Sequence, residues 1–143
     1  MKRYEKKNLT LPVSLHDAVV TSVAPVTNPS EGSGGRLTLV FADGYFIVGE
    51  NDVRRSGRAT VMLSGIDYDF SHVYICGKTS RREISFGKLA EDTVKCPLEI
   101  IDELYGYNQS RFSGTMYTKG RWYTVEIEVY HFRETIYEWE EQN

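Results

Sequence analysis

Two cysteines, Cys76 and Cys96, are all that this 143-residue chain carries. A disulfide-stapled secreted scaffold needs more, and without an export signal both read as reduced thiols. Metal-ligand spacing is also missing. The three histidines His16, His72 and His131 stand far apart, and no HExxH or CxxC occurs, so no metal site is expected. Phosphate-cradling motifs are absent: there is no GxGxxG, and Gly32-Ser33-Gly34-Gly35 lacks the lysine and hydroxyl of a P-loop. No cofactor is expected. Nothing approaches the ~20 apolar residues that span a bilayer, so no membrane partner is expected. Met1 to Lys7 holds four basic residues, but the following Asn8 to Ser14 alternates and contains Pro12, unlike a signal peptide. The chain reads as cytoplasmic. Charge of one sign is lacking too. The net charge is −3 with acids and bases interspersed, which gives no reason to expect a nucleic-acid partner.

Aromatic residues, by contrast, are plentiful: ten Tyr, six Phe and two Trp. Such side chains suit half-buried pleated surfaces and tilt the reading toward sheet. With 41% hydrophobic residues the chain can form a packed core, and its length allows about two-thirds of the unfolded surface to be buried. The expected fold is one mainly β domain over residues 1–143, an antiparallel sheet or barrel-like form with at most one or two short helices. Residues 1–12 are expected to be flexible, and the Gly/Ser-rich stretch 28–35 to be a mobile loop within the domain.

Strand signals then follow one another. Ala18 to Val23 is β-like, and Arg36 to Phe41 alternates with Leu37, Leu39 and Phe41 on one face. Asp43-Gly44 before Tyr45 to Val48 predicts a two-residue hairpin, pairing Phe41 with Phe46 and Leu39 with Val48 and leaving Val40 and Ile47 opposite. Arg58 to Ser64 points Ala59, Val61 and Leu63 inward. Ile66 to Phe70 keeps a period of two. Val73 to Cys76 and Glu83 to Phe86 are short strands joined through Gly77 to Ser80, and Gly87 to Asp92 reads as one helical turn. The stretch from Leu98 to Gly106 fits a helix capped by Pro97, or a strand. The strand is preferred because Ile101 and Tyr105 are β-formers among sheet-like neighbours.

Ser110 to Tyr117 and Trp122 to Tyr130 alternate around a turn at residues 118–121. An even loop pairs Met116 with Tyr123, Gly114 with Val125, Phe112 with Ile127 and Arg111 with Glu128. An odd loop would mix the faces. Thr135 to Trp139 adds a final strand.

Each candidate site has a plainer structural explanation beside it. His16-Asp17 pairs an imidazole with a carboxylate, as a general base needs. Neighbours on a strand point to opposite faces, so a hydrogen-bonded turn explains them better. Asp67 and Asp69, at i and i+2, would share a strand face, but the other ligands of a calcium loop are missing. The most suggestive cluster is Tyr105, Tyr107, Asn108 and Arg111 around Gly106, able to form a binding patch with Trp122, Tyr130 and Trp139. Capping of the sheet by these rings is the structural alternative.

The segments Leu15-His16-Asp17-Ala18, Leu98 to Asp102 with Tyr105 to Asn108, and Trp122-Tyr123 to Tyr130-His131 resemble a group of small bacterial proteins of unassigned function. Some small acidic bacterial proteins of this look are immunity proteins, encoded beside toxins. The resemblance implies a bacterial origin and one domain, and carries over no catalytic residue. The expected function is a non-enzymatic module that binds another protein, of immunity type. The alternative is a small-ligand β barrel lined by Phe41, Phe46, Met116 and Tyr123. A hydrolase using His16 or His131 ranks last.

Overall fold

Leu37, Leu39 and Phe41 are fully buried while Arg36 is exposed and Thr38 and Val40 only partly covered, so the period of two in this stretch sets an inner and an outer face. A computed structural model describes residues 1–3, 11–27 and 34–142. In chain order the strands are β1 (Val13–Ser14), β2 (Val19–Val20), β3 (Ser22–Val26), β4 (Gly35–Phe41), β5 (Phe46–Val48), β6 (Val53–Arg55), β7 (Ala59–Ile66), β8 (His72–Cys76) and β9 (Arg81–Ile84). Helix α1 (Phe86–Lys95) follows, then β10 (Leu98–Gly106), β11 (Gln109–Thr118), β12 (Arg121–Tyr130) and β13 (Ile136–Trp139).

All pairings are antiparallel, and they form three sheets. The largest has six strands in the order β2-β10-β11-β12-β8-β9, the second four in the order β13-β7-β4-β3, and the smallest is β1-β5-β6. None closes into a barrel. The inner faces of the six- and four-stranded sheets feed one hydrophobic cluster, with Leu39, Val61 and Leu63 from one and Ile100, Phe112 and Ile127 from the other. Each such fully buried side chain contributes about 1.5–3 kcal/mol. Both cysteines are free thiols.

The C-terminal hairpin has the expected register, including Met116 opposite Tyr123, Gly114 opposite Val125, Phe112 opposite Ile127 and Arg111 opposite Glu128. Its turn, Lys119-Gly120, has positive φ at both residues, as a type I′ turn demands. Residues 98–106 form the strand rather than the helix. Ala59, Val61 and Leu63 are buried as expected.

Three expectations are corrected. The Asp43-Gly44 hairpin does not form: Phe41 pairs with Ala59, and Phe46 with Ser14 and Arg55 in another sheet. Both edges of β4 are taken, by β3 and β7, so no ladder position is left for residues 46–48. The chain turns at Gly44 (φ 83°) and drives the Tyr45 ring into the core, where its hydroxyl donates to the Glu138 carbonyl at 2.8 Å. Residues 66–70 are not one strand either. Asp67 caps a 3₁₀ turn over Tyr68–Phe70, its carboxylate accepting from the Asp69 N–H at 3.0 Å. Lastly, α1 runs ten residues instead of one turn. Ser85 caps it by accepting from the Lys88 N–H, and Phe86, Leu89 and Thr93 bury one face. Of the two stretches expected to be mobile, residues 4–10 and 28–33 lie outside those described, while Gly35 opens β4.

Candidate functional site

Strand alternation divides the four residues singled out in the sequence. β10 and β11 are joined by Tyr107 and Asn108, with Gly106 paired to Gln109. The positive φ of this turn falls on Asn108 (55°), and Gly106 stays in an ordinary conformation. Asn108 accepts the His131 N–H on its carbonyl at 2.9 Å, while the Tyr107 side chain is 93% exposed. Tyr105 sits opposite Ser110 on the face that Phe112 carries into the core, and Arg111 sits opposite Leu104 on the other. The Tyr105 hydroxyl donates to Glu103 Oε1 at 2.7 Å and receives that of Tyr137 at 3.1 Å. The other Glu103 oxygen accepts the Leu15 N–H at 2.6 Å. Burial first, then the bond with Tyr137 and the Glu103 charge, push the Tyr105 phenol far above its ordinary value. Tyr105 therefore ties β10 to the first and last parts of the chain. Of the suggested companions, Trp139 packs edge-on against Tyr45 at 6.2 Å, whereas Trp122 and Tyr130 lie at opposite ends of β12.

His16 and Asp17 form the turn that the plainer explanation predicts. The His16 Nδ1–H donates to the Ile101 carbonyl at 2.6 Å, and Nε2 lies 3.5 Å from the Asp17 carboxylate. Asp17 has φ of 65° and donates its N–H to the Ile100 carbonyl. The Ile101 carbonyl, and secondarily the Asp17 charge, raise the imidazole above its ordinary 6.5. Asp67 and Asp69 share no face, because Asp67 is spent on the 3₁₀ cap.

One pairing had no signal in the sequence. Ser110 Oγ and His131 Nε2 stand 2.7 Å apart. The other ring nitrogen, Nδ1, donates to the Arg133 carbonyl at 2.9 Å, so Nε2 accepts the serine proton. This is the layout of a nucleophile and its base. Both residues are buried, at 3% and 9% exposure, and the pair joins the start of β11 to the chain beyond β12; Ser110 also borders a pocket of about 240 Å³ with Phe70, Gln109 and Tyr130.

The outward face of the six-stranded sheet is different. Arg81 lies over the Tyr74 ring at 3.8 Å and reaches Glu126 at 3.3 Å, Arg111 reaches the same carboxylate at 3.2 Å, and His72 pairs with Glu83. At one end of this face Phe70, Tyr130 and Phe132 cluster, with ring centroids 5.1 to 6.3 Å apart. At the other end the Gly77–Ser80 loop and the Lys119-Gly120 turn frame a cleft of about 610 Å³. Lys78, Thr79, Ser80, Arg121, Trp122 and Tyr123 line it, and no carboxylate does. Lys78, Lys119 and Arg121 have no ion-pair partner among the described residues. The neighbouring Glu126 and Glu83 are occupied by Arg81, Arg111 and His72, which leaves the cleft locally cationic on an acidic chain. Trp122 is 66% exposed, and its ring centroid lies 5.1 Å from that of Tyr117. Two donor hydroxyls, unpaired cations and an exposed indole can hold an anionic group and cover an apolar one beside it.

Among the described residues no three His, Cys, Asp or Glu side chains come together as a metal site, and no helix is long and apolar enough to cross a membrane. No family model, curated protein or solved structure matches this chain.

Proposed function

We propose that the chain is a cytoplasmic, non-enzymatic interaction module that binds an acidic segment of another protein in the cleft between the Gly77–Ser80 loop and the Lys119-Gly120 turn. The observation that carries this is the pair Lys78 and Arg121, unpaired beside Trp122, while the nearby Glu126 carboxylate is held by Arg81 and Arg111. A long nucleic acid fits less well. The net charge is −3, and the positive stretch ends within a few residues at the Glu126 and Glu128 rows. The narrower form, in which the partner is a toxin encoded beside a bacterial immunity protein, is supported by the resemblance of residues 15–18, 98–108 and 122–131. The ligand-barrel alternative draws no support from the fold. Phe41, Phe46 and Met116 stand in three different sheets, none closed, and Phe41 and Met116 are packed in the core.

The test is an NMR titration of the folded protein with hexaglutamate, alongside hexaserine and a short single-stranded oligonucleotide. Hexaglutamate is expected to shift the amides of residues 77–80 and 119–123, more weakly at high salt. Replacing Lys78 and Arg121 together by alanine should weaken binding about tenfold. The Tyr107→Ala variant, in the turn at the far end of the sheet, should bind as the parent does. No shifts, or unchanged binding on loss of Lys78 and Arg121, would refute the proposal. Stronger binding of the oligonucleotide would replace it.

A further inference from the structure

The two large sheets present opposite chemistry to solvent. The six-stranded sheet is laced outside with ion pairs, whereas the outer face of the four-stranded sheet is nearly uncharged. Its register sets Ala24, Thr38, Met62 and Ile136 in one row across all four strands. Ala24 is exposed, Ile136 is 42% exposed, and Thr38 and Met62 are partly so. The flanking outward positions are serine, threonine or valine, apart from Arg36 and Glu138. Both of these are exposed, and neither has an ion-pair partner among the described residues. They lie on a diagonal across β4, β7 and β13. Arg36 lies two residues from Thr38 along β4, and Glu138 two residues from Ile136 on the opposite side of the row, with Met62 midway.

We infer that this face docks a second copy of the chain, face to face. A two-fold axis in the contact plane, perpendicular to this diagonal at Met62, exchanges Arg36 and Glu138. Arg36 of each copy then meets Glu138 of the other, while the two uncharged rows cross at Met62. An isologous contact needs such self-complementarity, and this placement of one cation and one anion supplies it. A sheet face of unrelated solvent exposure would instead be expected to carry scattered charges, as the six-stranded sheet does. Four strands at the usual spacing give a flat area of roughly 300–400 Å² per copy. Stable dimers bury about 800 Å² per partner, so the dimer is reversible. This surface is separate from the cationic cleft, and neither proposal depends on the other.

Sedimentation velocity from about 10 μM to about 1 mM, a range suited to so small an interface, tests this. The parent mass should rise with concentration from 16.4 kDa toward twice that value. Met62→Lys should remain monomeric throughout, and so should Thr38→Lys, which probes the same row should the first variant prove unfolded by circular dichroism. Arg36→Glu should weaken association at least about fivefold, as loss of two exposed pairs allows. Arg36→Glu combined with Glu138→Arg should restore it. A parent that stays monomeric at the highest concentration, or a dimer indifferent to both lysine variants, would overturn the inference. Failure of the charge-swapped pair to recover would overturn the two-fold pairing.

Discussion

Adding one methyl group at Gly44 separates two costs that glycine spares a turn. The first is conformational: φ at Gly44 is 83°, where an L side chain crowds its own carbonyl at about 1–2 kcal/mol. The second is steric. A Cβ there would lie 2.3 Å from the Ser56 carbonyl oxygen, 2.5 Å from that of Gly57 and 2.6 Å from Ser56 Oγ. Two of these are backbone atoms, so relief requires moving the strand entrance that holds Tyr45. Ser56 exchanges bonds with Tyr45 there, Oγ accepting the Tyr45 N–H at 3.1 Å and its own N–H reaching the Tyr45 carbonyl at 2.9 Å. Overpacking of this kind costs a further ~1–3 kcal/mol. Gly44→Ala should therefore destabilise by about 2–5 kcal/mol, a fall in melting temperature of roughly 8–18 °C for this chain length. Gly120 is the control, with φ of 75° and nothing within 4 Å of its would-be Cβ. Gly120→Ala should lose only the conformational share, about 1–2 kcal/mol. Calorimetric or circular-dichroism melts of the two variants give the comparison. Equal losses would show that the approach of Ser56 to Gly44 carries no energy, and a neutral Gly44→Ala would refute the reasoning outright.

Two further outcomes are expected. Ser110→Ala leaves His131 Nε2 buried without its donor and should cost about 1–3 kcal/mol in denaturant melts; an unchanged midpoint would mean the pair contributes nothing. The His16 ring should titrate above 6.5 by NMR, since the Ile101 carbonyl and then Asp17 favour its charged form. Its contribution to stability is then complete below 6.5 and lost as pH rises through the raised value. Asp17→Asn should lower the midpoint only in part, because the Ile101 carbonyl remains.

The C-terminal hairpin was legible because its pattern admits one answer: an odd loop would place Phe112 against Glu126 and bury a carboxylate. The stretch around Asp43-Gly44 misled. Its turn chemistry is real, but a local signal cannot reveal that β3 and β7 already occupy both edges of β4, partners that lie outside the turn's own stretch of chain. Residues 66–70 misled because their apolar spacing suits a strand, whereas the Asp67 side chain bonds its own backbone and pulls the chain into a 3₁₀ turn. The helix α1 extends beyond the one turn expected at residues 87–92, with Ser85 capping its start and Leu89 and Thr93 buried along one face. As for the cleft, Trp122 stood out as an aromatic, but Lys78 and Arg121 are more than forty residues apart and only the β8–β12 pairing brings them together. Tyr105 and Arg111 are divided between the two faces of the sheet for the reason that makes strands readable: successive side chains leave on opposite faces.

The position of β13 in the order of synthesis has a consequence of its own. Along Ala59–Met62, the far edge of β7 is covered, among the described residues, by Ile136–Trp139; Glu138 within that strand gives its carbonyl to Tyr45, and Glu140 just beyond it gives its own to the Gly57 N–H. While a nascent chain is still emerging, everything through β12 can pair, yet that edge of β7 stays bare and the Tyr45 hydroxyl lacks its closest acceptor. A bare edge is a template for strand addition by another chain. A chain interrupted before β13 would therefore leave that edge of β7 open, a product primed to aggregate.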